Sequence, residues 1–185
     1  MKAVFITEHG GVEVLRYGDL PELAVGPGEV KVRVRACGVN RVDVFTRAGI
    51  KGTRLRLDGP HILGGDVAGD IVETAPGVTR VKVGDRVVAS GQIKEIHTAD
   101  PEHFTVVPDD IPAENLVYEE AAMYGLGAVR DGRICVGDRV AVFGLGAIGL
   151  MAVQIARLAG ARLVVASDPI ERRRKAAAKY VDHVF

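Results

Sequence analysis

The sequence predicts an α/β protein built from two unlike parts, and two observations carry that prediction. Roughly the first hundred residues contain short stretches in which apolar and polar residues alternate with a period of two, as in half-buried strands. From residue 136 onward, apolar runs typical of buried strands are separated by helical segments. Strands that alternate with helices of about 10–15 residues favour a parallel sheet with crossover helices.

The N-terminal part is predicted to be a small β-barrel or sandwich, because several short strands are separated by Gly- and Pro-containing turns. In "EVKVRVRA" (29–36), one face carries Val30, Val32, Val34 and Ala36, and the other carries Lys31, Arg33 and Arg35. "NRVDVFTRAG" (40–49) has helical spacing and ends at Gly49. Further strands are predicted in "GDVAGDIVETA" (65–75), "VGDRVVAS" (83–90) and "HFTVVP" (103–108). The tetrad VGDR recurs at 136–139, which indicates a shared type of turn and not a duplication.

The C-terminal part begins after a predicted helix in "EEAAMYGLGAVRDG" (119–132). A strand in "RVAVFG" (139–144) is followed by a helix from Ile148 to about Leu158 and a strand in "RLVVAS" (162–167). A helix from Ile170 to about Tyr180 then leads to the start of a third strand in "DHVF" (182–185). The predicted domains are therefore 1–131 and 132–185.

Composition argues against several classes of function. Lys and Arg together number 24, as do Asp and Glu, so no net field attracts nucleic acid or an acidic membrane surface. The apolar run 140–156 contains Gln154 and three glycines, which argues against a membrane span. Cys37 and Cys135 lie far apart without a CxxC pair, and no secretion signal is recognisable. We expect a reduced, cytoplasmic protein that acts on a small molecule.

A glycine-rich turn follows the first strand of the C-terminal part. Gly144, Gly146 and Gly149 form GxGxxG between a strand and a helix, which is the context that a dinucleotide site requires. The first glycine permits a tight turn, the second allows backbone to approach a pyrophosphate, and the third allows close packing of helix and strand. The intervening Leu145, Ala147 and Ile148 would contribute backbone, with N–H groups at the helix start facing the phosphates.

Asp168 lies at the end of the next strand, where an acidic residue accepts hydrogen bonds from the adenosine ribose. A carboxylate there would repel a 2′-phosphate, so the sequence favours NAD over NADP. The alternative is a packing turn without a ligand, in which Asp168 only caps the helix "PIERRRKAAAK" (169–179).

These motifs together resemble the medium-chain dehydrogenase/reductase superfamily. The similarity is carried by "GEVKVRVRACGVNRVD", "LGGDVAGDIVETAPGVTRVKVGDRVV", "EEAA" and "VGDRVAVFGLGAIGLMAVQIARLAGA". It implies a GroES-like β-barrel domain followed by the first, βαβαβ half of a Rossmann domain. It also implies that Arg173 corresponds to a basic residue near the adenosine ribose, whereas by itself Arg173 reads as a solvated helix charge.

The resemblance is mixed with respect to zinc. "GLGAIG" is similar to zinc-type alcohol and polyol dehydrogenases, and "GVNRVD" is similar to zinc-free quinone oxidoreductases. Zinc-type members have a Cys ligand at Asn40, relay residues at Val42 and Phe45, and a His-Glu pair at Gly65 and Asp66. Cys37 lies at a non-ligand position, and the loop "GQIKEIHTADPE" (91–102) lacks the cysteines of a structural zinc site. No metal ligand is therefore predicted, although His61, His97 and His103 leave an unrelated site open.

Without zinc, hydrogen-bond donors must stabilise a developing oxyanion while a nicotinamide exchanges hydride. We expect Asn40 to donate to the substrate oxygen, with Asp43 and Asp66 as further polar groups of the catalytic site. All three also have a structural interpretation, Asn40 and Asp43 as local caps and Asp66 as a buried acceptor.

A full dinucleotide fold has six strands, and this chain supplies about three. A bare sheet edge and apolar face are therefore predicted, together with either a homo-oligomer or pairing with a missing C-terminal segment. The chain could be a fragment of a longer enzyme, a subunit covered by another chain, or a reduced, non-catalytic relative.

Three functions follow. The first is an NAD(H)-dependent, zinc-independent oxidoreductase that interconverts an alcohol or polyol with its carbonyl compound. The alternatives are an NAD(P)H-dependent quinone or enone reductase, and a nucleotide-binding or interaction module without turnover.

Overall fold

The computed structural model describes residues 1–50 and 52–185. The chain divides into two compact units, Met1–Val117 and Tyr118–Phe185. Helix Glu119–Asp131 of the second unit lies on the N-terminal side of the predicted boundary at 131–132, yet it packs against the helix that follows the glycine turn. The division into functional domains at 131–132 stays a prediction.

The first unit is mostly antiparallel β-structure. Its strands are β1 (Lys2–Ile6), β2 (Arg16–Asp19), β3 (Val30–Cys37), β4 (His61–Ile62), β5 (Asp66–Thr74), β6 (Arg86–Ser90), β7 (Ile96–Ala99) and β8 (Thr105–Val107). Its helices are α1 (Arg41–Ala48) and α2 (Ala113–Leu116), with single 3-10 turns at Val12–Val14 and Pro101–His103.

Two sheets form in this unit, in the orders β7-β3-β5-β6-β8 and β2-β1-β4. Residues 93–95 connect them. The Val4 N–H donates to the Ile93 carbonyl and the Glu95 N–H to the Lys2 carbonyl, while on β3 the Val34 N–H donates to the Glu95 carbonyl. The strand-rich N-terminal part is thus confirmed, and this short segment joins its two sheets.

The alternation read from β3 is confirmed by burial. Val30 and Val32 are fully buried against Ile71, Val81, Val87 and Phe104, whereas Arg33 and Arg35 are exposed. Antiparallel partners of β3 lie on both sides, β5 and β7. The strand therefore contributes one face to the core, as the period of two predicts.

The two VGDR tetrads fold as the same turn. Gly84 and Gly137 both have left-handed backbone, with φ of 96° and 94°. Asp85 accepts the N–H of Lys82 at 2.9 Å, and Asp138 accepts the N–H of Cys135 at 2.7 Å. The shared turn chemistry predicted from the tetrad is therefore confirmed.

The second unit contains α3 (Glu119–Asp131), β9 (Arg139–Phe143), α4 (Ala147–Leu158), β10 (Leu163–Ser167), α5 (Glu171–Ala177) and β11 (His183–Val184). Its strands are parallel in the order β11-β10-β9, which confirms the predicted strand–helix alternation. α5 ends before the predicted Tyr180 because the chain turns back to the sheet. There, Asp182 exchanges hydrogen bonds with the backbone of Val164 on β10.

Large apolar side chains remain exposed in the second unit. Val136, Phe143 and Leu158 are each at least 85% exposed, and β9 is an edge strand among the described residues. In the described ranges, no helix combines the length and the apolar character needed to cross a membrane.

Candidate functional site

The glycine turn between β9 and α4 is held by two of its three glycines. Gly144 adopts a φ of 92°, a left-handed conformation that side chains disfavour, and its N–H donates to the Ser167 carbonyl at 2.8 Å. A Cβ at Gly149 would overlap the carbonyl oxygen of Gly144. Strand and helix can therefore meet at this angle only when Gly149 lacks a side chain.

Gly146 is different, because no contact among the described residues explains the absence of its side chain. Its φ is −69°, which any residue adopts, and no heavy atom lies within 4 Å of where its Cβ would be. The fold itself would accept alanine here. The space beside Gly146 is compatible with a pyrophosphate, the group that GxGxxG turns accommodate, and this role of Gly146 stays a prediction.

The start of α4 offers uncompensated positive charge to such a group. Gly146 is the N-cap, no side chain caps the helix, and its first turn carries no acidic residue. By contrast, the first turns of α1, α3 and α5 each contain Asp or Glu. Free N–H groups and the dipole at a helix start favour an anion.

Asp168 ties three segments of the second unit together. Its carboxylate accepts the Leu145 N–H from the glycine turn at 2.7 Å and the Ile170 N–H before α5 at 2.8 Å. The residue is only 3% exposed. The bond to Ile170 supports the structural interpretation of Asp168, a side chain that turns the chain into α5. Its role as an acceptor for the adenosine ribose stays a prediction.

These contacts also fix the charge state of Asp168. Hydrogen bonds from the backbone of Leu145 and then of Ile170 hold the pKa of its carboxyl below the usual value, since burial opposes ionisation less strongly than they favour it. The Arg173 guanidinium adds to the same shift from 3.4 Å. The turn is therefore anchored by an ionised carboxylate at neutral pH.

Two arginines of α5 contact the end of β10. Arg173 pairs with the Asp168 carboxylate at 3.4 Å, and its place near an adenosine ribose stays a prediction. Arg174 donates from Nη1 to the Asp168 carbonyl at 2.6 Å. Sequence reasoning did not single out Arg174, and only its place in a run of three arginines could have drawn attention to it.

In the first unit, the three predicted catalytic residues lie together at the start of α1. The Asn40 amide donates from Nδ2 to Asp66 at 2.6 Å, which connects the helix start to β5. Asp43 accepts the Asn40 N–H at 2.7 Å and the Gly64 N–H at 2.9 Å. Asp43 is 6% exposed, so a buried carboxylate holds the backbone of Asn40 and of Gly64 through these two hydrogen bonds. Asn40 and Asp66 are half-buried.

Metal ligands do not cluster in the described part of the chain. Across residues 1–50 and 52–185, no group of three or more His, Cys, Asp or Glu side chains is arranged to hold an ion. Burial raises the pKa of the Cys37 thiol, which a hydrogen bond from the Lys94 backbone offsets only in part. Cys37 is therefore a protonated thiol and not the thiolate that metals prefer.

Taken together, a strand-rich first unit and a βαβαβ unit with a glycine-rich turn after its first strand are the architecture that the sequence predicted. The sequence profile of the alcohol dehydrogenase GroES-like domain matches residues 26–131. The chain belongs to the medium-chain dehydrogenase/reductase superfamily.

Two curated relatives illustrate the breadth of this family. The D-guloside 3-dehydrogenase of Escherichia coli K12 is 39% identical over 118 residues, which cover 62% of this chain and 34% of that enzyme. A quinone oxidoreductase of Pseudomonas aeruginosa is 32% identical over 188 residues, which cover 95% of this chain and 55% of that enzyme. The chain thus spans less than two thirds of the length of each relative.

Solved structures of similar proteins agree with the fold. A mycobacterial protein in complex with NADPH has 31% identity and a TM-score of 0.82, and the match covers all of this chain and 58% of that one. An NAD-dependent alcohol dehydrogenase has 27% identity and a TM-score of 0.86, with 100% and 63% covered.

Proposed function

We propose that this chain is the substrate-binding part and the adenosine-binding half of an NAD(H)-dependent, zinc-independent oxidoreductase that interconverts an alcohol or polyol with its carbonyl compound. The observation that carries the proposal is the empty space beside Gly146 at an uncapped helix start. The nicotinamide, when bound, supplies or accepts hydride. The substrate class rests on similarity to relatives such as the guloside dehydrogenase.

For the dinucleotide, Gly146, Ala147 and Ile148 would contribute backbone N–H groups to the pyrophosphate, with Gly144 and Gly149 shaping the turn. Asp168 and Arg173 would face the adenosine ribose. NAD(H) is the expected form because the carboxylate of Asp168 is ionised and disfavours a 2′-phosphate. Arg173 lowers that penalty, so discrimination against NADP(H) would be moderate.

On the substrate side, Asn40 would orient the reacting oxygen, and Asp66 would hold the Asn40 amide in place. Asp43 would act as a positioning residue, because it fixes the backbone of Asn40 and Gly64. Zinc independence is proposed from the chemistry of the side chains present. At the positions of the family's ligands, this chain has the amide of Asn40 where a thiolate is usual, and Gly65, which has no side chain, where an imidazole is usual.

Calorimetry with ADP-ribose and NADH on the full chain tests the adenosine half-site. Micromolar or tighter binding to the wild type, lost in Gly146→Val, would support the assignment. A folded wild type that binds neither ligand would reject it, since the half-site needs only residues that this chain contains.

The second candidate is an NAD(P)H-dependent quinone or enone reductase, favoured by Asn40 and by the similarity to the Pseudomonas quinone oxidoreductase. Screening of alcohols, quinones and enones with both nicotinamides would separate the two enzymes. Binding of NADH without turnover of any of them would favour a third candidate, a nucleotide-binding module.

A further inference from the structure

Lys94 is a buried amine without a counter-charge. It lies in the segment that joins β1 to β3, and it is 9% exposed. Among residues 1–50 and 52–185, no side chain forms a hydrogen bond or ion pair with its ammonium group. Lysine is rarely buried in this way, because an unpaired ammonium loses hydration without compensation.

A cavity of about 220 Å³ lies beside this residue. The other charged and titratable groups that line it are Lys2, Tyr17, Arg35, Cys37 and Glu95. His97 lies nearby, and burial together with the charge of Lys94 lowers the pKa of its imidazole. Lys2 forms an ion pair with Asp19, and Arg35 forms one with Asp70. The Glu95 carboxylate accepts a hydrogen bond from the backbone N–H of Lys2 at 2.7 Å. None of these groups neutralises Lys94, and the cavity holds only a small ligand.

The amine remains reachable from solvent. In the described chain, Nδ1 of His97 is the one fully buried side-chain nitrogen or oxygen without a partner, so Nζ of Lys94 keeps some solvent contact. Burial lowers the pKa of Lys94, which increases the neutral, nucleophilic fraction at a given pH. Lys2 on the same cavity behaves oppositely, because its hydrogen bond to Asp19 raises its pKa.

We propose that Lys94 is a covalent capture site for small aldehydes. The lone pair of its uncharged Nζ attacks the carbonyl carbon, and the carbonyl electron pair moves to oxygen, which takes a proton. The resulting carbinolamine releases water as the remaining N–H proton leaves, and an imine forms without an external oxidant or reductant. This site is separate from the dinucleotide turn and does not depend on the proposed dehydrogenase activity.

The test is reductive alkylation of the full chain with limiting acetaldehyde and cyanoborohydride at pH 7, followed by peptide mass mapping. We expect Lys94 to gain an ethyl group several-fold faster than Lys2, because burial lowers the pKa of Lys94 whereas the hydrogen bond to Asp19 raises that of Lys2. Lys2 is a matched internal control because it lines the same cavity. Equal or slower labelling of Lys94 would overturn the proposal.

Two further measurements separate the folded site from intrinsic reactivity. In denaturant the rates of Lys94 and Lys2 should converge, and a preference for Lys94 that persists there would contradict a role for the cavity. With a bulky aromatic aldehyde the preference should also vanish, because the cavity is small. Equal selectivity for both aldehydes would overturn the assignment to small ligands.

Discussion

The carboxylate of Asp168 accepts the backbone N–H of Leu145 at 2.7 Å, across 23 positions of sequence. This bond attaches the glycine turn to the end of the neighbouring strand. Leu145 is 2% exposed, and this bond already engages its N–H. The amides available to a pyrophosphate are therefore those that follow it, at the start of α4.

Gly146→Ala should separate cofactor binding from folding. The added methyl group meets no protein atom, so we expect stability to change by less than about 1 kcal/mol. Binding of NADH should weaken at least about tenfold, because the methyl group occupies the space assigned to the pyrophosphate. Calorimetry and thermal unfolding measure the two effects. Unchanged affinity in a folded variant would remove the glycine turn from the site.

Gly127→Ala is the matched control for that variant. Gly127 lies inside α3 with open space at its Cβ position, so alanine should stabilise the fold by about 0.5–1 kcal/mol. Its NADH affinity should equal that of the wild type. An equal loss of NADH affinity in both variants would show that the loss does not depend on the glycine turn.

Gly149→Ala should harm the fold itself. Its Cβ would overlap the carbonyl oxygen of Gly144, and backbone cannot move away as a flexible side chain can. We expect a loss of about 1–3 kcal/mol or more, the usual cost of overpacking. Denaturant unfolding followed by circular dichroism measures it. A neutral result would mean that α4 and β9 do not approach as closely as described.

The element types and the glycine turn were predictable from sequence because both depend on local patterns. Val30 and Val32 follow a period of two, and the three glycines are spaced as one turn requires. The partners of Asp43 and Asp168 were not predictable. Asp43 reaches Gly64 and Asp168 reaches Leu145, and such distant pairs are set by packing that no local spacing encodes.

Asp168→Asn should relax the preference for NAD. The amide removes the negative charge but keeps one oxygen that can accept from Leu145 or Ile170, whereas Asp168→Gly loses both bonds. We expect the ratio of NADP to NAD affinity to rise in both variants, and stability to fall more in Asp168→Gly. An unchanged ratio in a folded Asp168→Asn would leave Asp168 with only its structural role.

Acid should unfold the second unit partly through Asp168. Its folded pKa lies below the ordinary value of 3.8, so its stabilising effect is present above that value and is lost as pH falls through the folded pKa. Asp182 shares this behaviour because Arg157 and the Val164 N–H stabilise its charge. Below pH 4, the stability of Asp168→Asn should therefore fall less steeply than that of the wild type. If urea unfolding showed the same pH dependence of stability for the wild type and Asp168→Asn, this linkage would be contradicted.

Lys94→Met should stabilise the protein at neutral pH. Methionine fills a similar volume without an ammonium group, and removal of an unpaired buried polar group is worth about 1–3 kcal/mol. The folded pKa of Lys94 lies below its unfolded value of 10.5, so the unfolded chain binds more protons between those values. The wild type must therefore gain stability relative to Lys94→Met as pH rises through that window. Urea unfolding of both proteins from pH 7 to 10.5 should show the difference shrinking, and a constant difference would mean that the Lys94 ammonium has a partner in the fold.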